Sequence, residues 1–251
     1  MNKNLIQYIL GIADNSLILG QRLGELCGHG PILETDIAMT NIALDLLGQV
    51  RSYYQYVAKL SIDDNVTEDT IAFLRNEREY RNVLLVEQPN TDFAYSITRQ
   101  FLFDMYHLLL LTELQNSKDE MLQAIAKKSI KEVTYHVRFS SDWLIRLGDG
   151  TEESNDKMQN AINDLWTFTD ELFHQTEADI AMVNENIGVD VNLLRTIYYK
   201  KISEILETAT LQTPESIYFQ KGGKLGIHSE HMGFLLADMQ YMQRSFPNMS
   251  W

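Results

Sequence analysis

Apolar positions recur every three or four residues over long stretches of the chain. Strand-type alternation is almost absent, so the pattern predicts helices. A first helix is expected from about Asn4 to Leu26, with Leu5, Ile9, Ile12, Ser16, Leu19, Leu23 and Leu26 on one stripe. Gly28-His29-Gly30-Pro31 stops it. A second, from about Glu34 to Leu60, carries Met39, Ile42, Leu46, Gln49 and Tyr53 on one face. Thr67 is a good N-cap for a short helix. After Pro89, Asn90 or Thr91 caps a third long helix to about Gln115, whose stripe is Ile97, Phe101, Asp104, Leu108 and Leu111. Ser117 with Glu120 reads as a capping box for a fourth helix to Leu147, with Leu122, Ala126, Val133, His136 and Ser140 near one face. Further helices are expected over about Glu152 to His174, Asp190 to Leu211 and His228 to Arg244. Thr213-Pro214-Glu215 opens a short one, and Gly222-Gly223 marks a loop. Pro31, Pro89, Pro214 and Pro247 all sit beside other breaking signals. The expectation is an all-α fold: a single domain over residues 1–251, built on a four-helix bundle with additional C-terminal helices outside it.

Composition narrows the function. Hydrophobic residues make up 45% and charged residues 22%, which excludes disorder. The net charge of −14 argues against nucleic acid and against anionic membrane surfaces as partners. One cysteine, Cys27, forms no internal disulfide and excludes cysteine-cluster zinc; it suits a reducing compartment. Met1 leads into no signal-type apolar segment. No apolar run approaches the roughly 18–20 residues of a membrane span; that around Leu108 to Leu111 is interrupted just upstream by Asp104. A cytoplasmic protein is expected.

The candidate chemistry lies where the stripes turn polar: Ser16, Gln49, Asp104 and His136, one on each long helix. A polar side chain on a buried helix face needs a partner, and the middle of a four-helix bundle is where di-metal carboxylate sites are built. Two irons want a carboxylate from each of two helices and Glu-x-x-His from each of the other two. Here the corresponding pairs are Leu46-x-x-Gln49 and Val133-x-x-His136, with Ser16 on the first helix; only Asp104 and His136 are competent ligands. The favoured reading is a register-fixing polar cluster, an Asp104–His136 pair with Gln49, and no metal, cofactor or catalytic residue in this chain. The alternative is an active metalloenzyme with rearranged ligands such as Asp45, Asp104, His107 and His136.

Other pairs have bland readings beside them. Asp36 is a further carboxylate on the second helix. Glu171-x-x-His174 lies in an acidic stretch expected to be a solvated face. Glu132 follows two lysines and is expected to point to water. His228-x-x-His231 with Glu230 suits capping or a surface position. Lys221-Gly222-Gly223-Lys224 offers either a phosphate contact or an ordinary mobile loop. No Gly-x-Ser-x-Gly, P-loop or Rossmann fingerprint is present. The tail, with Met232, Phe234, Leu235, Met239, Tyr241, Met242, Phe246, Met249 and Trp251, suits either docking onto its own domain or a partner interface.

Several segments taken together carry a resemblance: Gln21-Arg22-Leu23-Gly24-Glu25 with Cys27-Gly28-His29, NIALDLLGQVR from Asn41 to Arg51, NVLLVEQPN from Asn82 to Asn90, KEVTYHVRFSSDWLIRLGDGT from Lys131 to Thr151, and HSEHMGFLLADMQYMQR from His228 to Arg244. In this order, over essentially the whole chain, they resemble the PaaC-type subunits of bacterial phenylacetyl-CoA oxygenase (ring 1,2-epoxidase) complexes. The resemblance implies a ferritin-like fold and a non-catalytic structural role in a multi-subunit monooxygenase of phenylacetate degradation. It implies pairing with a PaaA-type subunit that holds the di-iron centre, and a reductase that supplies electrons from NADPH through FAD and an iron–sulfur centre. A homodimer of the chain alone is a further expectation. The di-iron ligand positions of the catalytic relatives fall on Ser16, Leu46, Gln49, Asp104, Val133 and His136, a degenerate set.

Overall fold

The structure, a computed structural model, describes residues 2–215, 218–247 and 249, with the side chain of Asn2 left aside. Among the described residues the regular elements are helical, as expected. They are α1 (Asn2–Leu26), α2 (Leu33–Leu60), α3 (Glu68–Phe73), α4 (Leu84–Glu87), α5 (Phe93–Leu114), α6 (Glu120–Gly148), α7 (Glu152–Trp166), α8 (Glu177–Asn184), α9 (Val191–Thr208) and α10 (Glu230–Ser245), with short 3-10 turns between some of them. No helix among them is long and apolar enough to cross a membrane. The chain divides into two compact units, Met1–Glu87 with Gly222–Trp251, and Gln88–Lys221.

In the first unit α1 packs along α2. A methyl added at Gly20 would lie 3.5 Å from the Leu46 Cβ and the Ala43 carbonyl, in ordinary van der Waals contact, so the two helices pack closely there. The turn joining them is closed by the Asp36 carboxylate, which accepts from the Gly28 and Gly30 amides at 2.9 and 3.0 Å. Gly28 sits at φ 84, where a side chain would be strained. The α4 segment is pinned by side chains of α1. Asn15 Oδ1 accepts from the Val83 amide at 2.8 Å, and the Arg22 guanidinium donates to the Glu87 carbonyl at 2.8 and 3.1 Å. Deeper, Asp14 Oδ1 accepts from the Tyr54 hydroxyl and from Arg75 Nη2, both at 2.6 Å. Its Oδ2 accepts from Arg75 Nη1 at 3.0 Å and from the Arg81 amide at 2.7 Å.

The last helix closes this unit. Met232, Leu235, Leu236 and Met239 are buried, while Phe234, Tyr241 and Met242 stay exposed, so the tail both docks on its own unit and presents an outer face. Met249 is exposed as well, and Trp251 lies outside the described residues.

In the second unit α5 is buried on nearly every side, against α6, α7 and α9. Phe173, on the 3-10 turn over 170–173, meets the rings of Tyr106, Tyr198 and Tyr199 at 5.9, 5.2 and 5.8 Å between centroids.

Four boundaries differ from the sequence expectation. Asp92, not Asn90 or Thr91, caps α5, accepting from the Tyr95 amide at 2.7 Å; the Asn90 side chain instead receives Arg99 Nη2, also at 2.7 Å. Asp119 rather than Ser117 caps α6, because the Ser117 hydroxyl is taken by the Ile187 carbonyl at 2.8 Å. The helix expected to reach His174 stops at Trp166, whose carbonyl accepts from the Thr169 hydroxyl at 2.8 Å; α8 is a separate helix. Thr213-Pro214-Glu215 opens no helix in 211–215, and Ser216 and Ile217 lie outside the described residues. The Gln159 side chain holds the amide and carbonyl of Gln212 at 2.8 and 3.0 Å, which keeps that stretch irregular.

Candidate functional site

The polar stripe residues are all interior. Ser16, Asp104 and His136 are fully buried and Gln49 is 3% exposed; Leu46 and Val133 are fully buried beside them in sequence. In the first unit the positions thus bear a hydroxyl, an amide and an aliphatic side chain. None of these is an anionic ligand able to neutralise a divalent cation.

In the second unit Asp104 has formed its own network. Gln100 Nε2, one turn earlier on α5, donates to Oδ1 at 2.6 Å, and the Ser140 hydroxyl on α6 lies 2.9 Å from Oδ2. The expected Asp104–His136 hydrogen bond is not among its contacts, since Gln100 and Ser140 reach the carboxyl instead. Burial pushes the Asp104 pKa up to about 8, against the two hydrogen bonds, so the carboxyl carries its proton at neutral pH. The Ser140 oxygen also lies 2.9 Å from the His136 carbonyl. The Ser140 hydroxyl thus lies within donating reach of both the Asp104 carboxyl and the His136 carbonyl.

His107, one turn after Asp104, is 1% exposed and stacks at 5.3 Å on Phe103. Neither ring nitrogen has a hydrogen-bond partner among the described residues. Burial, with the nearby His136, pulls its pKa down to about 3 and keeps the ring neutral. A buried imidazole with both nitrogens unsatisfied costs stability. His107→Leu is therefore expected to stabilise the chain by ~1–2 kcal/mol, read as a higher denaturant midpoint at unchanged slope. A drop in the midpoint would mean that His107 makes an interaction of net benefit.

This donor set does not fit two irons. It contains one carboxyl, uncharged by burial, and among the described residues no group of three His, Cys, Asp or Glu side chains is placed to hold a metal ion. The rearranged set fares no better: Asp104 is engaged by Gln100 and Ser140, and His107 lies along Phe103.

The remaining candidates have structural partners. Asp36 closes the α1–α2 turn. Glu171, expected on a solvated face, is 2% exposed, because the 3-10 turn folds it inward with Leu172 and Phe173. Glu132 is half-buried. His228, expected near the surface, has a buried side chain 3.4 Å from Glu87 Oε1, and Ser229 donates to Glu87 Oε2 at 3.2 Å. Burial alone would lower the His228 pKa, but the hydrogen bond and charge of Glu87, with the Tyr80 carbonyl and Glu77, together outweigh it and the net shift is upward; burial raises Glu87. His231 is half-buried and its carbonyl accepts from Arg22 at 3.4 Å. The Gly222–Lys224 stretch is packed rather than loose. A Cβ at Gly223 would meet the Asn82 carbonyl at 2.2 Å, and Lys224 is 9% exposed. The polar cluster that reading the stripes missed is Asp14 with Tyr54 and Arg75. Its signal was the triplet Asp14-Asn15-Ser16 inside an otherwise apolar stretch of α1.

A family model described as phenylacetic acid catabolic protein matches residues 1–251. A relative from Escherichia coli (strain K12), one of the subunits of its 1,2-phenylacetyl-CoA epoxidase, is 50% identical over 247 residues, 98% of this chain and 99% of the relative.

Proposed function

Since the chain belongs to the phenylacetic acid catabolic protein family, we propose that it is the PaaC-type subunit of a phenylacetyl-CoA epoxidase in aerobic phenylacetate degradation. In this reading the whole chain acts as one ferritin-like domain of the cytoplasm. It pairs with and stabilises a PaaA-type subunit, and the oxygen chemistry takes place there. The di-iron centre belongs to that partner, and NADPH, FAD and an iron–sulfur centre belong to a reductase subunit.

The observation that carries this reading is the chemistry of the interior. The chain matches the family over residues 1–251, yet Ser16, Leu46, Gln49 and Val133 stand where, by the resemblance, the catalytic relatives carry charged or imidazole ligands. What this chain's residues do is hold shape. Asp104, Gln100 and Ser140 tie α5 to α6, and Asp14 with Arg75 ties α1 to the segment after α3.

Co-expression with a PaaA-type subunit tests the pairing. Size-exclusion chromatography is expected to give one species larger than either chain. With reductase, NADPH and O2, phenylacetyl-CoA is expected to be epoxidised only when both subunits are present. Separate elution of the two chains, or turnover by this chain without the partner, would contradict the proposal.

A further inference from the structure

Helix α2 carries a second apolar stripe, opposite the one that packs inward. Leu33, Ile37, Thr40, Leu44, Leu47 and Arg51 follow one another at alternating spacings of four and three residues, the seam spacing of paired helices. Leu33, Ile37, Leu44 and Leu47 are 70, 52, 60 and 38% exposed, while Met39, Ile42, Leu46 and Gln49 behind them are at most 3% exposed. The exposed aliphatic surface is on the order of 400 Å2, the size at which an apolar patch on a soluble protein marks an interface. Beside the seam, a Cβ at Gly48 would meet nothing within 4 Å, so another backbone can come close there.

We propose that this face of α2 is the docking seam for an amphipathic helix of the PaaA-type partner subunit; the inference rests on the functional reading above. The occupant presents Leu or Ile every three and four residues over about 27 Å, crossing at a shallow angle as in a coiled coil. It carries a basic side chain opposite the exposed Glu34 and an acidic one opposite Arg51. The family model takes in both PaaA-type and PaaC-type chains, so a partner of that kind has a corresponding long helix to offer. A second copy of this chain fits less well. Antiparallel self-pairing would set Leu33 against Arg51 at both ends of the seam, and two chains of net charge −14 repel. The exposed apolar groups of α6 and α9 are less suited, and α10 exposes Phe234, Tyr241 and Met242 two turns apart rather than as a continuous stripe. Trp143 on α6 is already covered by Arg146 at 5.0 Å and Phe93 at 5.3 Å, and α9 offers only Leu193 and Ile197.

The test uses the full chain co-expressed with a PaaA-type subunit, as wild type, Leu44→Glu, Ile37→Ser, and the control Leu193→Glu at a residue 78% exposed on α9. Leu44→Glu is expected to weaken the complex at least 100-fold and Ile37→Ser about 10-fold. Circular dichroism melts of the isolated chains are expected to be unchanged, and Leu193→Glu to assemble like wild type. Ile37→Ser keeps the result readable should Leu44→Glu fail to fold. If wild type and all three variants assemble equally, the seam is elsewhere while the functional reading stands. If wild type itself does not assemble, both fall. A dimer of the chain alone that Leu44→Glu dissolves, with the mixed complex intact, would assign the seam to a second copy and overturn the proposal.

Discussion

Asp14→Ala is expected to be the most damaging single substitution in the chain, costing ~3–5 kcal/mol. The Asp14 side chain is fully buried and that of Arg75 is 12% exposed, so the carboxylate is the counterion of a largely buried guanidinium. Burial alone would lower the Arg75 pKa; Asp14, with Tyr54 and Tyr80, more than offsets this and the net shift is upward, so the arginine keeps its charge. Removing Asp14 strands that charge along with the Tyr54 hydroxyl and the Arg81 amide. Against the 5–15 kcal/mol typical of a whole domain, such a loss leaves little fold. Urea denaturation checks it. The double variant Asp14→Leu/Arg75→Met is expected to recover a substantial part of the loss, because both charges leave together. A single variant as stable as wild type would show that water reaches Arg75 without cost.

Stability is also expected to fall by about 2 kcal/mol as pH rises from 6.5 to 8, because of Asp104. Its pKa is 3.8 in the unfolded chain and about 8 in the folded one, so over that range the native state holds a proton that the unfolded state has released. Stability from this group is therefore complete at acid pH and lost as pH rises towards 8. His107 acts in the opposite sense. Its folded pKa of about 3 lies below the unfolded 6.5, so its contribution is lost as pH falls below 6.5. Between about pH 4 and 6.5 the two slopes oppose each other; above 6.5 Asp104 gives the main decline, with His228, whose folded pKa is also raised, acting in the same sense. Asp104→Asn, which keeps the shape and can still bond Gln100 and Ser140, is expected to remove most of the decline above pH 6.5 and to be the more stable protein at pH 8. Denaturant midpoints of both proteins from pH 5 to 8 decide it. Parallel curves would mean that Asp104 is ionised in the fold.

The all-helical architecture was legible because repeat spacing is a local property. Each long stripe places its own apolar face, and the burial of Ser16, Gln49, Asp104 and His136 follows from their place in those stripes. Pairings between distant residues were not legible. Glu87 and His228 are 141 positions apart, and Asp14 and Arg75 are 61 apart. No local pattern separates a buried carboxylate with a counterion from a solvated one, which is why Glu171 read as exposed and His228 as a surface residue. The caps moved by a residue or two because Asp, Ser, Thr and Asn all serve at that position, and tertiary contacts decide which is free. Ser117 lost the role to Asp119 through its bond to the Ile187 carbonyl. The outer stripe on α2 was written in the spacing of Leu33, Ile37, Leu44 and Leu47, but only burial separates it from the inner one.

Iron content after anaerobic loading with Fe(II) and desalting tests the central claim most directly, with a PaaA-type subunit treated in parallel. The chain isolated alone is expected to retain far less than one iron, with no absorption or Mössbauer signature of a bridged pair, while the partner takes up two. Two tightly held, coupled irons in this chain would contradict a set of positions whose one carboxyl, Asp104, is protonated and whose others offer a hydroxyl, an amide, one imidazole and hydrocarbon.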